Sequence, residues 1–432
     1  MGCARVVGMV GLVMVLAVPV GAQEENGSAE TVKLYFDCQG SGCHDLDFFR
    51  RQIPYVNWVR DRESADVHVL VTSRQTGGGG LETTLSFIGR GAFEGEDESI
   101  VLHTPGDATQ DDIRRAQATR LKLGLGPYLA DTSLARRLDV MLSDGAPGEA
   151  VGAGAGASPG DDPWNFWVFA LNGNAYLNNQ SSVKSASYYT SLTANRTTEL
   201  WKVTLSTDYN RYTQKIELSD TTVEETRKDW GVSGSLVRSL GPRWSVGIRA
   251  KGGSSTYYNQ DFRGSLQPGV EFDFFPYAES SRRSLTLQYL IGPQYSDYTE
   301  RTIYEVLKET RLQESLTARL SLNQPWGQWS TALTGVHYVP ETSRYHLTLS
   351  GNFNVRLFKG LSFRAFGSYT KVRDQLYISA EGATDEEILL QLRQLATSYR
   401  FYTSFGLRYR FGSIFNNVVN PRFGGSEGDV FF

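Results

Sequence analysis

The chain has 432 residues, more than one ordinary domain needs, and its 43 basic and 47 acidic residues leave a net charge of −4. That balance carries no basic footprint for a nucleic-acid partner. Hydrophobic residues are 40%, below a helical membrane protein, while aromatics reach 12%, with 22 Tyr and 22 Phe.

The first 22 residues read as a secretory signal. Arg5 gives the positive start, Val6 to Val20 the apolar run, and Val20-Gly21-Ala22 a small-residue cleavage site before Gln23. The run is shorter than the ~18–20 residues a span needs.

Residues 31–143 read as an α+β domain. Strands are expected at Val32–Phe36, Tyr55–Val59, Val67–Thr72, Glu82–Ile88 and Ser99–His103. A short helix over Asp45–Ile53 stops at Pro54, and Thr109–Leu129 carries an amphipathic period. The glycine run 77–80 joins two strands and lacks the Lys and Ser/Thr of a phosphate loop, so it reads as a hairpin. Cys38 and Cys43, the only cysteines after the signal, are expected to form a disulfide in an oxidising compartment. Their spacing is wrong for covalent haem attachment, and only His44 and Asp45 stand near them as further metal ligands. Residues 144–162 are Gly, Ala, Pro and acid, the composition of a flexible linker.

From about 166 to 411 apolar and polar residues alternate, strand after strand. Tyr345, Leu347, Leu349, Phe353, Val355 and Leu357 interleave with His346, Thr348, Ser350, Asn352, Asn354 and Arg356. A period of two separates the two sets onto opposite faces. An aromatic-rich dry face and an arginine-bearing wet face suit a transmembrane barrel with lipid outside and a polar lumen. Strands are expected near 166–177, 184–195, 200–212, 227–238, 244–257, 262–275, 284–296, 311–322, 329–339, 344–357, 361–373 and 399–411. The fold class is therefore an α+β periplasmic domain followed by an all-β, twelve-stranded antiparallel transmembrane barrel over 163–412, with a periplasmic tail at 413–432. Even-numbered connections are mostly short, whereas 213–226, 297–310 and 374–398 are long. That is the rhythm of periplasmic turns and outer loops. It puts the amino-terminal domain in the periplasm. A helix is expected at Glu386–Leu395, in the last long loop.

The alternation turns Lys202, Arg249, Lys251, Arg263 and Arg319 into the lumen, together with Arg356, Arg364, Arg400, Arg408 and Arg410. Inward acids are fewer: Asp208, Asp229, Glu271 and Asp273. An excess of inward cations favours anions in a pore. The same charges could instead fill a narrow lumen with ion pairs. His337 and His346 flank the turn near Pro340 at the outer rim, where a surface hydrolase would need a base.

Three resemblances add to this. Ser404-x-Gly406-x-x-Tyr409-x-Phe411 resembles the carboxy-terminal assembly signal of outer-membrane barrels, although 21 residues follow it. It implies recognition by the barrel assembly machinery. Asn172-Gly173-Asn174, Phe275-Pro276-Tyr277 and Arg282-Arg283 resemble an uncharacterised salt-induced outer-membrane family, which implies a barrel and no known reaction. The strand Ala65–Val71 and the order of elements around it are similar to the TolB amino-terminal domain, which implies a periplasmic protein partner. The expectation is a non-enzymatic outer-membrane protein embedded in lipid. It would be a narrow or plugged pore or a surface protein, with no cofactor. A rim hydrolase and a pure envelope scaffold are the alternatives.

Overall fold

The computed structural model describes residues 31–77, 79–130, 132–137, 162–217, 222–381, 396–415 and 417. The expected signal segment, nearly all of the linker, the helix at 386–395 and most of the tail lie outside the described residues.

The amino-terminal domain runs β1 (Lys33–Cys38), α1 (Leu46–Gln52), β2 (Asn57–Trp58), β3 (Val67–Gln75), β4 (Leu81–Gly89), β5 (Glu98–Thr104) and α2 (Gln110–Ala130). Its sheet has the order β2-β1-β3-β4-β5, parallel across β2-β1-β3 and antiparallel beyond. Asp45 caps α1 by accepting the Phe48 N–H at 3.1 Å. After α2 the chain makes a 3-10 turn, Ser133–Arg137. Leu34, Phe36, Val67, Val69 and Phe87 from one face of the sheet meet Phe49, Leu121 and Leu125 from the two helices. Gly124 sits where α2 crosses β4, and a Cβ there would lie 2.1 Å from the Phe87 ring. The opposite face carries Tyr35, Asp37 and His68, and His68 is as buried as the core.

The second unit is a twelve-stranded antiparallel meander in sequence order. It comprises β6 (Trp167–Asn179), β7 (Val183–Thr197), β8 (Trp201–Glu217), β9 (Thr222–Ser239), β10 (Trp244–Ser255) and β11 (Gln260–Asp273). It continues with β12 (Arg283–Tyr298), β13 (Lys308–Gln324), β14 (Gly327–Val339), β15 (Tyr345–Phe358), β16 (Leu361–Val372) and β17 (Tyr399–Tyr409). Each expected strand is present. The outward row Leu333–Leu349–Tyr369–Phe401 and the inward row Thr334–Thr348–Thr370–Arg400 run side by side, one residue apart. That offset is the face separation read from the alternation. On the inward row Thr317 pairs with Thr334, and Thr348 with Thr370, through their hydroxyls.

Two expectations need correcting. The loop at 213–226 is mostly strand, because Lys215 lies opposite Glu224 and the Thr213 and Thr226 hydroxyls meet at 3.1 Å. These cross-strand pairs carry the ladder to the hairpin tip. The barrel is also not closed by hydrogen bonds. Among the described pairings β6 and β17 are the two sheet edges, and every residue of β17 is exposed. The sheet curls nonetheless, since β11 and β17 line one cavity.

At the β15–β16 turn Gly360 has φ +77°, and a Cβ there would lie 2.1 Å from the Arg410 carbonyl oxygen. Only glycine suits that corner. The turn matters because the amino-terminal domain rests against it.

Candidate functional site: a latched mouth and a basic lumen

The amino-terminal domain lies across the end of the sheet that carries the short turns. Lys359 donates to the Ser64 hydroxyl at 3.0 Å, and Gln39 donates to the Gln324 carbonyl at 3.0 Å. Gln328 returns a bond to the Gln39 carbonyl, and Arg74 donates to Ser280 between β11 and β12. The glycine hairpin also reaches this end, with Gly77 against Thr197. Beyond β17 the chain turns onto the same domain. The Arg60 side chain donates to the Phe411 and Gly412 carbonyls, and Val59 bridges Phe415. Asn417 accepts the Trp58 N–H at 2.7 Å. The start of the tail is thus an edge partner of β2.

At the centre of this contact Arg356 reaches from the lumen face of β15 to Asp37 on β1. Its guanidinium donates to both carboxylate oxygens, at 2.5 and 2.7 Å, and to the Pro325 carbonyl at 3.0 Å. It also stacks over the Tyr35 ring, 5.3 Å from the centroid. Asp37 is 2% exposed, and His68 stands behind it with Nε2 at 3.4 Å. Burial would raise the Asp37 carboxyl, but bonds from His68 and Arg356 hold it below its ordinary value. Burial pushes the His68 imidazole below its ordinary value and the Tyr35 hydroxyl up to about 12. The His68 Nδ1 is buried without a partner. A planar fork meeting a carboxylate in a dry setting is a strong, directional contact.

The ten basic residues expected inside are divided among distinct regions. Arg356, Arg364, Arg408 and Arg410 line a mouth cavity of about 190 Å³ with Asp37, Arg60 and Arg62 of the amino-terminal domain. Lys202, Arg249 and Arg319 line a cavity of about 350 Å³ midway along the lumen with Glu271. There Arg249 donates to Gln288, which donates to Glu271. Lys202 and Arg319 form no ion pair among the described residues. Arg263 and Arg400 line a third cavity at the far end. Lys251 lies on β10 opposite Ser265, on the same inward row as Arg249. Of the inward acids, Asp229 accepts from the Ser255 hydroxyl, and Asp208 stands beside Gly231.

Cys38 and Cys43 are joined by a disulfide, with Cα atoms 5.6 Å apart, so β1 passes directly from the latch aspartate into a closed loop. The assembly-signal residues lie on and just past β17. Ser404 and Gly406 pair with Phe366 and Arg364, and the outward Tyr409 and Phe411 rings stack at 5.7 Å. The two rim histidines are separated by the fold. His337 faces out and pairs with Glu314 at 2.9 Å, whereas His346 faces in and pairs with Asp374 at 2.5 Å. Their strands meet with His346 opposite Val336, and this one-residue offset puts them on opposite faces. Sequence reasoning missed Asp37, His68 and Asp374. For the first two a signal existed, a charged or polar residue inside an otherwise apolar strand; nothing marked their partners.

Residues 175–375 match a family described as a protein of unknown function, DUF481. The match begins within β6 and ends just past β16. Among solved structures, one match is the translocator domain of autotransporter NalP from Neisseria meningitidis. It is 12% identical, covers 57% of this chain and 81% of that chain, and has a TM-score of 0.17. No curated protein matches.

Proposed function

We propose that this protein is a narrow, anion-preferring outer-membrane pore whose amino-terminal domain is its periplasmic gate. The observation that carries the reading is the Asp37–Arg356 fork, which ties the domain to a lumen arginine at the mouth. In this reading β6 pairs with β17 in the membrane, because open strand edges have no partner in lipid. The outward Phe401, Phe405 and Leu407 then face acyl chains, and the β17 signal is read by the assembly machinery. Lys202, Arg249 and Arg319 outnumber Glu271 at mid-lumen and set the preference for anions. The resemblance of the strand Ala65–Val71 and its neighbouring elements to the TolB amino-terminal domain favours a periplasmic protein partner. Its free edge, β5, with Val101 exposed, is the surface left for one. The protein is not an enzyme in this reading.

Planar-bilayer recording of the full chain is the test. The wild type should be mostly closed at low conductance. Asp37→Arg, which sets two guanidiniums against each other, should raise open probability and keep the reversal potential on the anion side. No current from either protein, or a cation preference, would sink the reading.

A further inference from the structure

The far end of the lumen holds a chamber that the gate reading leaves unused. The first residues of the connection after β16, 373–381, cross the far opening instead of leaving it. Ile303 donates to the Ile378 carbonyl and Ala380 to the Arg301 carbonyl, both at 2.8 Å. Thr302 and Ser379 form a bridge, and Leu376 is 3% exposed. The strap therefore joins the β12–β13 connection to the end of β16, past β14 and β15, and roofs the space below.

Under this roof lies a cavity of about 320 Å³, at the lower end of ligand-pocket volumes. Its walls offer three kinds of contact. Arg263 and Arg400 supply positive charge; Arg263 is braced by Gln294 at 2.6 Å, and Arg400 has no ion-pair partner among the described residues. Asp374, the lining carboxylate, is already engaged by His346 at 2.5 Å. Tyr258 and Tyr377 meet edge to face at 5.1 Å and supply flat apolar surface. Gln260 is 8% exposed and lines the cavity, yet its carboxamide forms no hydrogen bond among the described residues. Its amide is open to the chamber, where a ligand can reach it.

We infer that this chamber binds a small polyhydroxylated carboxylate, an acid of monosaccharide size. The two arginines take the carboxylate, the tyrosines take the apolar face of the ring, and Gln260 takes a hydroxyl pair. A bare inorganic anion would use the arginines alone and leave Gln260 and the ring faces idle. A neutral sugar would leave the guanidiniums uncompensated. The inference rests on the geometry of the chamber, not on conduction, so it stands or falls apart from the gate.

The experiment is titration calorimetry of the full-length protein in detergent, with glucuronate, glucose, acetate and phosphate as probes. Glucuronate should bind tighter than each of the other three. Arg400→Gln should weaken it on the order of tenfold, the loss expected for a charge-assisted bond. Gln260→Leu should weaken glucuronate and leave acetate unchanged. Heat-modifiable migration of each variant shows whether its barrel has folded, and Tyr377→Leu, on the strap, provides a variant outside the strands. If glucuronate bound no tighter than acetate or phosphate, the site would be a plain anion site and the proposal overturned. Glucuronate affinity unchanged in both Arg400→Gln and Tyr377→Leu would overturn it equally. Loss of bilayer current with binding intact would count against the gate alone.

Discussion

Asp37 and Arg356 stand 319 residues apart in the chain, yet their carboxylate and guanidinium meet fork to fork. One partner is fully dry and the other 31% exposed. Removing Arg356 would strand a buried carboxylate with only the neutral Gln39 amide and His68 imidazole for company. Arg356→Ala should therefore weaken docking by about 3 kcal/mol, the low end for breaking a buried pair, because part of the arginine is solvated. Ser64→Cys with Lys359→Cys, bridged by a short bismaleimide, reports docking directly. Efficient cross-linking in the otherwise wild-type chain should collapse when Arg356→Ala is added. Unchanged cross-linking would show that the fork does not hold the domain.

Acid should loosen the same contact in two stages. His68 has a folded pKa below its ordinary 6.5, so the unfolded chain binds the proton first and stability falls as pH drops through that value. Asp37 is depressed below 3.8, so its contribution is full above that value and is lost as pH falls further. Thermal melts followed from pH 8 to pH 3 should show both steps. His68→Gln should remove the upper step and keep the lower one.

The register of the sheet makes a sharp contrast between neighbours. Leu349 is 47% exposed on the outward face, in a row with Leu333 and Tyr369, while Ser350 lies inward between Ala332 and Ser368. Leu349→Arg should cost roughly 2–4 kcal/mol at the bilayer midplane and impair assembly. Ser350→Arg should assemble near the wild-type level. Heat-modifiable gel migration reads the difference, and equal behaviour would mean the faces are reversed.

Gly124 has no room for a methyl group. Gly124→Ala drives a Cβ into Phe87, whose ring also stacks on Tyr128. Overpacking of this kind costs about 1–3 kcal/mol. Chemical denaturation should show a lower midpoint for the amino-terminal domain, with barrel migration unaffected.

Strands were legible because alternation is local and its error is unforgiving: one slip would put Arg400, Arg408 and Arg410 in lipid. The hairpin past Tyr212 was less legible because Thr213, Lys215 and Glu224 are polar on both sides and mimic a loop until their cross-strand partners are seen. The inward faces of Arg249, Arg319 and Arg356 could be read from the chain; that the first two share a chamber and the third lines another could not. Which chamber a side chain enters depends on strand stagger and on which segments cover the two ends. Asp374 shows the limit most clearly, since its partner His346 comes from a different part of the chain and the two meet only once the strap has folded inward.

The 319-residue gap in the latch also sets a sequence of events. The amino-terminal domain is a contiguous stretch with its own core and can fold as soon as it emerges. Its receptor does not yet exist, because Arg356 is among the last parts of the chain to be delivered. The tail that completes the β2 edge comes later still. Until β15 and β17 are in place, the folded domain waits on its tether and the end it will cover stays clear. Docking is thereby tied to completion of the sheet, and a chain cut short before Arg356 would carry a folded domain with nowhere to land.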